Sequence, residues 1–160
     1  MSWQLNIVAI RAPYEKVADY LDVLTVVKTG VSFEEATSNI SSATAASTHL
    51  NGFCLIFDVH CKIFHNKGFY NKIFFGETIK LFQILQTPGF KHVADKKNLY
   101  RLTGIAEFRA ELTQRGIAIK DKKDGEILAW QLFDDEIFGA QAEGVHKDLW
   151  NAKFDIWQLD

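Results

Sequence analysis

Apolar and polar positions alternate from the start of the chain. Trp3, Leu5, Ile7 and Ala9 fall on one side and Gln4 and Asn6 on the other, a period of two that predicts a strand with one buried face. Pro13 suits the first turn of a helix, where its missing N–H is no loss. Tyr14, Val17, Leu21 and Leu24 then recur at helical spacing with Glu15, Lys16, Asp19 and Asp22 between them, which predicts an amphipathic helix lying against that strand. A short strand is expected within residues 25–36. Residues 38–52, rich in Ser, Thr and Ala without a clear period, read as a surface loop. The run Phe53-Cys54-Leu55-Ile56-Phe57 is apolar at every position, the mark of a central strand covered on both faces. Residues 69–75 suggest one or two helical turns ended by Gly76, and residues 78–85 another strand broken by Pro88-Gly89.

Farther along, alternation is clear again. In residues 105–112, Ala106, Phe108, Ala110 and Leu112 share one side and Glu107, Arg109 and Glu111 the other. Gln114-Arg115-Gly116 reads as a hairpin turn, Ile117 and Ile119 resume the inward side, and Asp124-Gly125 is a two-residue turn signal. A third strand over residues 126–133 would complete an antiparallel meander. Asp134, Asp135 and Glu136 suit the start of a helix. A second helix is expected near residues 145–152, and Phe154, Ile156 and Leu159 suggest an extended end docked on the body. The predicted fold is α+β: a mostly antiparallel, twisted sheet of six to eight strands with two or three helices on one side.

Composition is compatible with this picture. A chain of 160 residues, 48% hydrophobic and 13% aromatic, can form one globular domain spanning 1–160 with a core that needs neither disulfide nor metal. The start of the chain lacks the pattern of a signal peptide, and no run approaches the ~20 apolar residues of a membrane helix. Cys54 and Cys61 are therefore read as reduced thiols and the compartment as cytoplasmic. The net charge of −2 conceals three unequal blocks: −3 over residues 1–59, +8 over 60–123 and −7 over 124–160. Such blocks either compensate one another or form a dipolar surface that steers a charged partner.

Candidate chemistry is sparse. His60, Cys61 and His65, with His49 and Cys54 nearby, are competent metal ligands. On an extended strand, however, His60 and Cys61 point to opposite faces, which opposes both a shared metal and a Cys/His nucleophilic pair. Neither glycine-rich nucleotide motif is present, and no cofactor is expected. Arg101, Arg109, Arg115, Lys120, Lys122 and Lys123 surround the predicted hairpin, but Glu107 and Glu111 interrupt them, so nucleic-acid binding is disfavoured. Asp134, Asp135 and Glu136 form the densest acidic cluster. With Trp130 and Trp157 in the same acidic third, they outline an aromatic anchor ringed by acids, suited to a basic protein partner.

Three segments carry a resemblance: FEEATS from Phe33, the strand from Gly52 to Asp58, and IAEFRAEL with its Gly116 turn. Together they resemble small bacterial proteins, some of them similar to immunity proteins that neutralise polymorphic toxins. The resemblance covers about half of the chain and transfers no catalytic residue. The leading expectation is a non-enzymatic protein-binding module, most concretely an immunity-type inhibitor, and the −7 balance of residues 124–160 suggests that this acidic segment meets a basic cleft. The competing expectations are a small metal-dependent enzyme using His60, Cys61 and His65, and a ligand- or nucleic-acid-binding module using the basic hairpin.

Overall fold

The computed structural model describes residues 5–13, 15–17, 25–38, 44–57, 78–94, 97–139 and 146–158. Its frame is an eight-stranded sheet: β1 (Leu5–Ile10), β2 (Thr25–Val31), β3 (Thr44–Leu50), β4 (Phe53–Phe57), β5 (Thr78–Ile84), β6 (Gly89–Ala94), β7 (Lys97–Thr103) and β8 (Phe154–Gln158). The spatial order is β2-β8-β3-β4-β1-β5-β6-β7, and every neighbouring pair is antiparallel. Among the described residues, helices α1 (Phe33–Ser38), α2 (Ile105–Gln114), α3 (Gly125–Phe138) and α4 (His146–Asn151), with residues 15–17 also helical, complete an α+β fold. None of the described helices is long and apolar enough to cross a membrane.

Helices α1 to α4 pack on one face of the sheet. Ile7, Phe57, Phe82, Phe90 and Leu102 share that face through their cross-strand register. They join Phe33, Phe108, Leu112, Leu128, Leu132, Phe133, Ile137 and Leu149 of the helices in one core. Rings meet edge-on or tilted across the two layers, as in Phe82–Phe133 with centroids 5.1 Å apart, a geometry that adds to their large buried area. The opposite face carries Val8, Ile10, Cys54, Ile56, Ile79, Leu81 and Trp157, and these are buried too. The first strand therefore buries both faces, not the expected one; even Asn6 is covered.

The predicted meander is instead a pair of helices. Residues 105–112 sit in α2, where Phe108 and Leu112, four apart, turn inward while Ala106 and Ala110 face out. Ala, Glu, Arg and Leu are all strong helix formers, and the alternation had only small alanines at half of its inward positions. The expected hairpin at Gln114-Arg115-Gly116 is a helix end: Gly116 N–H donates to Thr113 O at 3.0 Å and Ile117 N–H to Leu112 O at 2.9 Å, the paired bonds of a Schellman motif.

Residues 126–133 lie in α3, not in a third strand. Asp124 is its N-cap: the carboxylate accepts from Glu126 N–H at 3.0 Å and Ile127 N–H at 3.3 Å, satisfying donors that a helix start leaves open. Asp134, Asp135 and Glu136 belong to the last turns of this helix, not to a helix start.

Two further segments differ from expectation. The Ser/Thr/Ala-rich stretch holds β3, an interior strand between β8 and β4. Its Ala45, Ala46 and Ser47 are buried; small side chains gave the pattern too little hydrophobic contrast to read. Asn51 and Gly52, both at positive φ, turn β3 into β4 as an Asn-Gly hairpin does. The short strand, the central strand, the strand before Pro88, the late helix and the docked extended end correspond to β2, β4, β5, α4 and β8. The first predicted helix falls largely on residues outside the description, with residues 15–17 helical. The helical turns proposed near residue 70 lie wholly outside it.

Candidate functional site

The densest chemistry lies where α2 and α3 cross the helix-bearing face of the sheet. Strand register sets Lys80 opposite His92 and His92 opposite Tyr100, a polar row across β5, β6 and β7. The helices supply Glu111, Arg115, Asp135 and Glu136. Lys80 Nζ donates to Glu136 Oε2 at 2.6 Å and lies over the Phe53 ring, 5.3 Å from its centroid. Arg115 donates to Glu111 at 2.8 Å, to Asp135 at 2.7 Å and to Glu136 at 2.7 Å. These charged side chains are only 11–22% exposed.

The electrostatics follow from that enclosure. Burial raises the Glu111 and Glu136 carboxyls, but bonds from Tyr100 and Arg115 to the first, and from Lys80 and Arg115 to the second, outweigh it and hold both below the usual value. Burial opposes the Arg115 charge, yet its three carboxylates raise its pKa further. Burial and the Glu111 bond push Tyr100 up to about 12. His92 is lowered, first by burial and then by the Lys80 charge, against the opposing pull of Glu136. Chemically the cluster is a clamp. It ties the end of α2 to β7 and the last turns of α3 to β5, assisted by Asn51 Nδ2–H donating to Ile137 O at 2.6 Å.

The residues singled out from sequence do not assemble into one surface. Trp157 is 0% exposed, on the sheet face away from the helices, so it presents nothing to a partner. Trp130 is half-buried, edge-on to Phe133 with centroids 5.4 Å apart. Asp135 and Glu136 are tied to cations of the middle block, and Asp134 is half-buried. The Asp135 and Glu136 carboxylates thus point into a bonded network. His60, Cys61 and His65 lie outside the described residues. Among the described residues no three His, Cys, Asp or Glu side chains converge to hold a metal ion. Cys54 is buried, and burial pushes its thiol up to about 12, far from the thiolate that nucleophilic chemistry needs.

Two surface features went unread in the sequence. Trp150, on α4, is 49% exposed, yet its ring stacks on Phe33 of α1 with centroids 5.4 Å apart and planes 4° from parallel. No local signal distinguishes it from the buried Trp157. The other is an open groove of about 390 Å³ between the outer side of α2 and the following segment, lined by Ala106, Arg109, Ala110, Thr113, Ile119 and Lys122. The basic cluster had marked its rim, but as a wet strand face. A scan against protein-family models finds no match to this chain, and searches of curated proteins and of solved structures find none either.

Proposed function

We propose that this chain is a non-enzymatic protein-binding module. The observation that supports it is Trp150: a large aromatic side chain half open to solvent and already fixed by stacking on the buried Phe33. Trp is enriched among residues that dominate binding energy, and a ring held before contact loses little freedom on association. Phe33 opens the FEEATS segment that carries the resemblance to immunity-like proteins, so the concrete form of the reading is an inhibitor that occludes an enzyme. Steering by an acidic C-terminal face is not part of it, because Asp135 and Glu136 are engaged by Arg115 and Lys80.

The test uses a partner isolated with the tagged chain and then purified by itself. Titration calorimetry of the reconstituted pair should show Trp150→Ala weakening the complex by about thirtyfold or more, the scale of a binding hot spot, while Trp150→Phe retains most of the affinity. Near-UV circular dichroism verifies that the variant is folded. An unchanged affinity in folded Trp150→Ala removes the reading. For the inhibitor form, titrating the chain into an enzymatic partner should abolish its turnover at one equivalent.

A further inference from the structure

We propose that the groove beside α2 docks an acidic, leucine-bearing peptide segment of a partner protein. This inference rests on the protein-binding reading and names the chemistry of one contact. The groove floor is Ala106, Ala110 and Ile119, and Arg109 and Lys122 stand at its rim. Both cations are exposed, and neither takes part in an ion pair among the described residues.

Acids near the groove are engaged elsewhere. Glu107 accepts from Thr103 N–H, Glu111 is bound to Arg115, Asp121 accepts from Lys123 N–H at 2.9 Å, and Asp124 caps α3. Lys120 and Lys123 are exposed on the same segment as Lys122. The two charged side chains that line the groove, Arg109 and Lys122, are both cations, and carboxylates on an incoming chain complement them.

The apolar floor selects among anionic ligands. A leucine side chain can cover the two alanines and Ile119 while flanking glutamates reach Arg109 and Lys122, an arrangement with an apolar centre and a charged rim. Single-stranded nucleic acid binds best where rings stack on its bases; among the described residues no aromatic side chain lines this groove. Peptide is therefore the better fit.

The full chain is titrated with a fluorescein-labelled, soluble Glu-Glu-Leu repeat peptide, followed by anisotropy. A Ser-Ser-Leu repeat and a single-stranded oligonucleotide serve as comparisons. The acidic peptide should bind, more weakly as salt rises, and each of Arg109→Glu and Lys122→Glu should weaken it by at least about tenfold. Both sites are exposed, so the variants should fold, and Lys97→Glu on β7 should have no such effect. Failure of the acidic peptide to bind, equal binding of the neutral peptide, indifference to both charge reversals, or tighter binding of the oligonucleotide overturns the proposal. Trp150→Ala should leave this titration unchanged. A complex lost in Trp150→Ala but indifferent to the groove variants sinks the groove alone; the reverse result sinks the Trp150 reading and spares the groove.

Discussion

Replacing Arg115 with methionine should strand two carboxylates, Glu111 and Asp135. The guanidinium is the common partner of Glu111, Asp135 and Glu136, at 2.7–2.8 Å from each, and methionine keeps the length of the side chain but none of its donors. Lys80 still reaches Glu136 at 2.6 Å, but Glu111 and Asp135 lose their cation. Removing one member of a buried ion pair costs about 3–5 kcal/mol because the remaining charge is left poorly solvated. These side chains retain some contact with water, so the lower end applies and we expect a loss of about 3 kcal/mol. That is a large share of the ~5–15 kcal/mol by which native proteins are stable, and at this chain length it corresponds to a fall in Tm of about 6–12 °C.

Urea unfolding followed by far-UV circular dichroism measures the loss, and repeating it at lower pH tests the cause. Glu111 and Glu136 are held below their usual value in the wild type. Their contribution is complete above the unfolded-state carboxyl pKa and is lost as pH falls through the depressed folded-state values. In Arg115→Met the same carboxyls are no longer held as low, so acidification takes less from the variant. The gap between wild type and variant should therefore hold from pH 7 down to the unfolded-state value of 4.5 and narrow as pH falls below it. A loss below about 1 kcal/mol, the scale of an exposed surface pair, or a gap that does not change with pH, would refute the clamp.

Gly125→Ala tests a different contact. A Cβ there would lie 1.9 Å from Gln86 O and 2.8 Å from Pro88 Cδ, so we expect a loss of about 1–3 kcal/mol in the same assay, although alanine is the better helix former; a variant as stable as wild type would show that the close approach does not constrain the fold. His92 is lowered from 6.5, so the unfolded chain takes up its proton first. This contribution to stability is intact above pH 6.5 and falls as pH drops from there through the folded-state value. The difference in unfolding free energy between wild type and His92→Gln should shift across that window, and an NMR titration should place the His92 midpoint below 6.5; a midpoint at or above 6.5 contradicts it.

The sheet was legible where side chains are large and the helices were not where they are small or ambiguous. Phe53 to Phe57 reads as a doubly covered strand because every residue is apolar, and β4 has neighbours on both sides and both faces buried. In α2, Phe108 and Leu112 satisfy a period of two as well as a spacing of four. The deciding signal was intrinsic propensity, which favours helix for Ala106, Glu107, Arg109, Ala110 and Glu111. Asp124-Gly125 is likewise ambiguous: it suits a hairpin, but an aspartate before an apolar-rich run also suits a helix cap. β3 was missed for the opposite reason, since buried Ala45, Ala46 and Ser47 give almost no contrast. The charged clamp could not be found from spacing at all. Lys80, His92 and Tyr100 become neighbours only through the register of three strands, and Arg115 meets Asp135 and Glu136 only once α2 and α3 pack together.

The blocks of charge acquire a physical meaning from that packing. Lys80 and Arg115 come from the +8 block, and Asp135 and Glu136 come from the −7 block. Opposite charges far apart in sequence thus meet at the layer boundary, where a mismatched pairing of helix and strand would leave an ion buried alone. The compensation is local and incomplete. It consumes carboxylates from the last turns of α3, and Asp124 is consumed as a cap, whereas Arg109, Lys120, Lys122 and Lys123 stay at the surface. A block of acid in the sequence therefore need not yield an acidic face. Here the carboxylates of α3 are drawn into the layer boundary by Lys80 and Arg115, while the groove on the outer side of α2 is lined by the cations Arg109 and Lys122.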